Sequence, residues 1–197
     1  MKLFETFLSQ ASLLTLNDLM GQKWRFVTGD PLEGKAGRLF AWRNVFVGME
    51  GATTVGIHLV SAISTVEGDE NDYGRLEIDL RDHGLDEAVK RGEVSLKFGG
   101  SQVSNIYVIQ ETIRHSAMKA MDWEIDTHYG VVFELSVGAV AIIKAGQQAD
   151  ALDVVLADSL ENLDIPKRDD AWNFDLELGE SIEIHRQNIP LSELIRP

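Results

Sequence analysis

The longest apolar run in the chain extends from Gly130 to Ala145 and is rich in β-branched residues. Such side chains favour strands, and the run is too short to cross a bilayer as a helix. Glu134 and Gly138 interrupt it, and we expect a bulge or tight bend at Gly138, because an isolated glycine in a strand pattern commonly marks one. The run therefore predicts the core strands around which the other elements are arranged.

Strict alternation of apolar and polar residues predicts a half-buried strand from Arg75 to Arg81. The pattern assigns three side chains to the core: Leu76, Ile78 and Leu80. Glu77 and Asp79 are then expected to face solvent. Alternation recurs from Phe174 to Leu178, where Asp175 and Glu177 are the expected solvent-facing residues.

Other apolar stretches also predict strands, at residues 24–28, 38–49, 53–66, 94–98, 103–110 and 152–156. Two of them flank the pair Gly99-Gly100, which predicts a hairpin between 94–98 and 103–110. Residues 29–37 predict a loop. Helical spacing of apolar residues over 2–15 predicts a short N-terminal helix.

About ten strands at short spacing, with two or three short helices, predict a mainly β domain of the α+β class. We expect antiparallel sheets that form a sandwich or a partly open barrel. The chain has 197 residues, of which 44% are hydrophobic, and this suffices for one core. Residues 1–197 are therefore expected to form a single domain.

The two halves of the chain share a pattern when residues 55–114 are aligned without gaps with residues 131–190. Apolar positions then coincide in three separate runs, which favours an internal duplication. The hairpin turns do not coincide, because Gly99 falls on Asp175 instead of Gly179. Sets of alternating strands also align by chance, so two readings stay open: two β units related by pseudo-symmetry, or one β domain without a repeat.

The chain is strongly acidic: 32 Asp and Glu against 18 Lys and Arg give a net charge of −14. A field of this sign repels nucleic acids and anionic membranes, and it attracts cationic proteins. We therefore expect no nucleic-acid partner and no membrane partner. Solubility alone also explains such a charge, so the acids either bind a basic protein or only keep the chain in solution.

The chain contains no cysteine, which excludes disulfides and thiolate metal sites. The opening residues do not resemble a signal peptide, because Glu5 interrupts them and no long apolar region follows. These features predict a cytoplasmic protein. No cofactor is expected, because the motif GxxxxGK at 29–35 is followed by Ala36, where a phosphate-binding loop needs Ser or Thr for magnesium.

A metal-assisted hydrolase is one alternative function. Asp122, Glu124, Asp126 and His128 alternate with other residues, and on a strand they would share one face that suits a divalent ion. Metal sites usually recruit ligands from several elements, and no second His-rich element is evident. An ordinary strand with a polar face is the simpler prediction, with no metal ligand and no catalytic residue.

A second alternative is a β domain that binds a small ligand. Its cavity would be lined by the aromatic residues of the first quarter of the chain: Trp24, Phe26, Phe40, Trp42 and Phe46. Large aromatic side chains dominate core burial, so core positions explain them at least as simply.

The leading hypothesis is a non-enzymatic acidic binding protein that masks a cationic protein, as immunity proteins mask nuclease toxins. The analogy rests on charge, size and the lack of a catalytic motif. A nuclease binds phosphate with a basic cleft, so an acidic inhibitor gains both fast association and specificity. The expected partner-binding residues are the outward acids of two strands and the acids of one turn: Glu67, Asp69, Glu70, Asp72, Glu77, Asp79, Asp175 and Glu177.

Overall fold

The computed structural model describes residues 2–29, 32–35, 37–42, 44–51, 53–60, 74–81, 89–90, 94–117, 120–145, 151–166 and 180–195. The strands in these ranges are β1 (Lys2–Thr6), β2 (Trp24–Gly29), β3 (Leu32–Lys35), β4 (Arg38–Ala41), β5 (Asn44–Met49), β6 (Thr54–Val60), β7 (Arg75–Leu80), β8 (Val94–Ser95), β9 (Val103–Ala117), β10 (Ala120–Leu135), β11 (Ala139–Lys144), β12 (Leu152–Ala157) and β13 (Glu180–Pro190). Two helices accompany them, α1 (Gln10–Asn17) and α2 (Leu191–Leu194).

The strands form two sheets. The larger, eight-stranded sheet has the order β13–β9–β10–β11–β12–β4–β3, and β1 joins it by pairing with β10. The smaller sheet has the order β7–β6–β5–β2–β8. All neighbouring strands are antiparallel except β1 and β10, which are parallel. The prediction of a mainly β fold with antiparallel sheets and a short N-terminal helix is confirmed.

The two sheets pack face to face over a single large core. Its buried side chains come from both sheets and from α1, and they include Trp24, Val47, Ile57, Ile106, Phe133, Ile142 and Leu16. Each fully buried side chain of this kind stabilises the fold by roughly 1.5–3 kcal/mol relative to an exposed one. The outer face of the larger sheet carries two smaller apolar clusters, around Val132 and Ile125.

The pairing of β9 with β10 is the longest in the molecule, with strands of 15 and 16 residues. Its register shifts between His128 and Gly130, so Tyr129 is an extra residue that has no counterpart on β9. Such a bulge changes which face the following side chains occupy. The other edge of β10, opposite β9, changes its partner strand at this bulge: β1 pairs with β10 as far as Thr127, and β11 pairs with it from Gly130 onward.

The prediction of one helix over residues 2–15 is wrong in its first half. Residues Lys2–Thr6 form β1, and α1 begins only after Ser9, whose hydroxyl accepts a hydrogen bond from the Ser12 amide at 3.1 Å. Phe4 packs against the apolar cluster on the outer face of the larger sheet. The gain from pairing with β10 and from this packing overrides the local helical spacing.

Two further predictions are corrected by the strand pairing. The 94–98 segment does not form a hairpin with 103–110, because β8 pairs with β2 and β9 pairs with β10 and β13. Residues 29–37 are not simply a loop, since β3 lies within them and pairs with β4. Gly138, with φ of +90°, lies in the tight turn between β10 and β11, where the Leu135 amide donates to its carbonyl oxygen at 3.0 Å.

The proposed internal duplication stays a prediction. Residues 55–59 lie in the smaller sheet on β6, whereas the residues aligned with them, 131–135, lie in the larger sheet on β10.

Helix α1 packs against β7, an edge strand of the smaller sheet. The Ile78 amide points away from β6 and donates to Ser12 Oγ at 3.0 Å. Ser12 and Ile78 are both buried. The helix therefore supplies a hydrogen-bond partner that a neighbouring strand would otherwise provide, and it protects the edge from pairing with another chain.

Replacing Ser12 by Ala should lower the free energy of unfolding by about 1–2 kcal/mol, because the buried Ile78 amide loses its acceptor. The higher helix propensity of Ala offsets a few tenths of this loss. Urea denaturation measures the difference, with the exposed Gln10→Ala change in the same helix as a control. A stability equal to that of the control would show that this hydrogen bond does not stabilise the edge.

Candidate functional site

Glu77 and Asp79 lie on β7, where they alternate with the core residues Leu76 and Ile78. Both carboxylates are half-exposed, with side-chain exposures of 34% and 47%. Their predicted orientation is confirmed, since Leu76 and Ile78 are buried. The expected burial of Leu80 is wrong: this side chain is 65% exposed, because it stands at the end of an edge strand where no element covers it among the residues described.

Each of these acids contacts an arginine of its own segment. Arg75 Nη2 lies 2.5 Å from Glu77 Oε1, and Arg81 Nε lies 2.6 Å from Asp79 Oδ1. His58 of the neighbouring strand β6 lies 3.8 Å from Glu77. Burial lowers the pKa of His58, so this contact is not a full ion pair at neutral pH. Exposed ion pairs of this kind contribute little to stability, so a cation from another molecule can replace either arginine at small cost.

The acidic charge of the chain is concentrated in two stretches of the sequence, one around β7 and one over 153–180, where nine Asp and Glu stand against two Lys and Arg. Residues 67–93 contain ten Asp and Glu against four Lys and Arg. Glu77 and Asp79 are the predicted partner-binding residues whose surroundings are known. The others lie outside the residues that the structure describes: Glu67, Asp69, Glu70, Asp72, Asp175 and Glu177.

The polar face that the sequence predicted as a possible metal site, Asp122 to His128, lies on β10. The side chain of Asp122 is outside the part that the structure describes. Glu124 accepts a hydrogen bond from Arg114 Nε at 2.5 Å, and Asp126 accepts one from Thr112 Oγ1. His128 is buried, and its Nδ1 accepts the Leu8 amide at 2.9 Å. Within the described ranges no three His, Asp or Glu side chains are arranged to hold a metal ion.

A buried polar group that the sequence did not indicate lies on the outer face of the larger sheet. Glu111 of β9 is fully buried and accepts from Arg186 Nε of β13 at 2.8 Å. The guanidinium also lies 4.5 Å above the ring of Tyr129 and donates to the carbonyl oxygen of Pro166 at 3.0 Å. Buried charge needs such dense compensation, so this group fixes β13 and the 158–166 segment against the sheet.

A second buried polar group lies where β1 ends at Thr6 and β11 ends at Lys144. Thr127 Oγ1 accepts from Thr6 Oγ1 at 2.6 Å and from Lys144 Nζ at 2.6 Å. His128 is adjacent, and the ring of Phe7 lies 4.8 Å from its imidazole. Burial, and secondarily the charge of Lys144, lower the pKa of His128 from 6.5 to about 4. His128 is therefore neutral at physiological pH.

The aromatic residues considered for a ligand cavity are divided between the two sheets. Trp24 and Phe46 are buried in the smaller sheet, and Trp24 lies 5.5 Å from Phe133 in the core. Phe40 and Trp42 belong to the larger sheet and its following turn, and their rings are perpendicular at 5.2 Å. Trp42 is 48% exposed. These positions show two separate aromatic groups, and Trp24 Nε1 has no hydrogen-bond partner among the described residues.

Comparison of the chain with protein-family models, curated proteins and solved structures finds no match. In the part that the structure describes, no helix is long and apolar enough to span a membrane.

Replacing Arg186 by Met should lower the free energy of unfolding by about 3–5 kcal/mol, since buried Glu111 loses its guanidinium partner. The double variant Glu111→Gln/Arg186→Met should recover much of this loss, because it removes the buried charge as well. Urea denaturation of the wild type, the single variants Arg186→Met and Glu111→Gln, and the double variant gives the coupling energy. Arg114→Met, at the more exposed pair with Glu124, serves as a control with a much smaller effect. Equal losses in the Arg186 and Arg114 variants would contradict this assignment.

Chelation tests the polar face of β10 directly. Because Glu124, Asp126 and His128 are already hydrogen-bonded within the protein, EDTA should leave the melting temperature unchanged. A drop in Tm that one divalent ion reverses would instead favour the metal-assisted hydrolase.

Proposed function

We propose that this protein is a non-enzymatic acidic binding protein that masks a cationic protein partner, of the kind that neutralises a nuclease toxin. The observation that carries the proposal is the acidic stretch around β7, one of two in a chain of net charge −14, with ten acids against four bases over 67–93. A cytoplasmic location and a basic protein partner, with no nucleic-acid or membrane partner, are parts of the same proposal.

The geometry of β7 supports a role in recognition. The carboxylates of Glu77 and Asp79 are held on a strand whose alternate residues, Leu76 and Ile78, are anchored in the core. Side chains on such a rigid backbone present charge with a small ordering cost on binding. Their arginine contacts are exposed, so they can be exchanged for lysine or arginine residues of a partner.

The strand edge itself is not offered for pairing, because Ser12 already binds the Ile78 amide. The partner is therefore expected to contact side chains, and not to add a strand to the sheet. Association of this kind is steered by long-range charge, and screening shortens its reach to about 8 Å at physiological ionic strength.

The test uses the product of the adjacent gene as the binding partner, provided that this product contains a basic nuclease domain. The double variant Glu77→Lys/Asp79→Lys should slow association with it, most strongly at low salt, because the charges that steer the encounter are reversed. Stopped-flow or biosensor kinetics at several salt concentrations measure the on-rate, and inhibition of nuclease activity gives a functional readout.

The matched control is Glu33→Lys/Glu50→Lys, which makes the same change in net charge at exposed positions outside both acidic stretches. If both double variants slow association equally, net charge acts without a defined site. If affinity and rate are unchanged in the β7 variant, Glu77 and Asp79 serve only solubility.

A further inference from the structure

The N-terminal segment, residues 2–17, covers two strand edges at once. Its strand β1 pairs with β10 over 123–127, and its helix α1 binds the Ile78 amide at the edge of β7. Between β1 and α1 the chain is attached to β10 by the hydrogen bond from the Leu8 amide to His128 Nδ1. This bond lies at the junction of the two elements, where Phe7 also packs on the imidazole.

The hydrogen bond requires an imidazole without a proton on Nδ1. A neutral ring meets this condition with its proton on Nε2, whereas a protonated ring has donors on both nitrogens. Protonation therefore places two donors, the Leu8 amide and Nδ1–H, against each other. It also creates a buried positive charge beside Lys144.

The groups around His128 do not compensate such a charge. On β11 the neighbour is the cation Lys144, whose charge disfavours the imidazolium. On β9 the residue opposite His128 is the uncharged Gln110. The same face of β10 carries Asp126, which is bound by Thr112, and β1 places Glu5 opposite Asp126. Neither carboxylate contributes to the pKa shift of His128, which burial and Lys144 cause. The N-terminal segment contacts the imidazole with the apolar ring of Phe7 and with the amide of Leu8.

We propose that His128 is an acid-sensitive latch, and that its protonation favours opening of the N-terminal segment, away from β10 and from the edge of β7, against the core packing of Leu13 and Leu16. This inference goes beyond the proposed function and is independent of it. It gives the buried histidine a regulatory role, because release uncovers the Ile78 amide and the unpaired side of β10 over 123–127.

The direction of the pH effect follows from the pKa of His128. It is about 4 with the segment bound, and it returns toward 6.5 when release hydrates the ring. The bound form therefore excludes a proton that the released form takes up, so the segment is held most tightly above pH 6.5 and is progressively released as pH falls toward 4. By linkage, the opening constant should rise by about 30-fold between pH 7.5 and pH 5.

Amide hydrogen exchange measures this opening residue by residue. Protection factors, corrected for intrinsic exchange rates, should fall by about 30-fold at Leu8 and Ile78 between pH 7.5 and pH 5. The Ile142 amide in the core of the larger sheet should keep its protection. Equal loss at Ile142 would mean global unfolding, and unchanged protection at Leu8 would mean that the segment is not released; either result overturns the latch.

The variant His128→Asn keeps an acceptor oxygen close to the position of Nδ1 but cannot take up a proton, so its protection at Leu8 and Ile78 should not depend on pH in this range. His185→Asn, at an exposed histidine of β13, should respond to pH as the wild type does. If His128→Asn does not fold, nitrogen chemical shifts of the wild-type imidazole report its protonation directly. A midpoint near 6.5 in the folded protein would overturn the proposal.

Discussion

The pairing of β9 with β10 is the constraint on which the rest of the structure depends. Every strand of the larger sheet is attached to this pair directly or through β11 and β12. A two-stranded ribbon of this length cannot bury both faces along its whole extent unless other elements cover them. One half of β10 forms the sandwich core with Val131 and Phe133. Along the other half, β1 pairs with β10 and β13 pairs with β9, and their side chains Phe4, Ile182 and Ile184 pack on the cluster around Ile125.

The bulge at Tyr129 separates these two halves. It lets Val131 and Phe133 face the smaller sheet while Tyr129 itself packs on the outer face, under Arg186. The change from β1 to β11 along the second edge of β10 occurs at the same residues, and both buried polar groups lie next to it. Charged and polar side chains are thus buried where regular pairing is interrupted, because there the apolar packing is incomplete and specific hydrogen bonds can replace it.

Many of the strands could be predicted from local sequence patterns, because alternating and β-branched runs indicate directly which side chains are buried. The pattern places β7 correctly, and it places the apolar run of 130–145 on β10 and β11 around the turn at Gly138. Strand partners were not accessible in the same way: β8 pairs with β2 instead of β9, which only the three-dimensional arrangement decides. At the N-terminus, Phe4 and Leu8 fit either period, and pairing with β10 selects the strand.

The candidate site could be predicted only in part, because a local sequence pattern reports which side of a strand a residue faces but not its partners from remote parts of the chain. Alternation assigned Glu77 and Asp79 to the solvent side, and it places Arg75 and Arg81 on that side as well, because all four alternate in one segment. The contacts between the arginines and the acids are known only from the structure. The partners of Glu111 and His128 are remote in the chain: Arg186 lies 75 residues from Glu111, and Leu8 lies 120 residues from His128. No local pattern pairs such positions.

The N-terminal segment shows how one short element can serve two sheets. A strand edge exposes amides and carbonyls that another chain can pair with, and proteins cover such edges in different ways. Here β1 covers one edge with backbone hydrogen bonds, and α1 covers another with the hydroxyl of Ser12. Because both depend on the same stretch of chain, losing the attachment at Leu8 weakens both together. In the proposed latch, a single buried imidazole between the two elements acts on more surface than its own contacts occupy, since its hydrogen bond to Leu8 lies between the element that covers the larger sheet and the one that covers the smaller sheet.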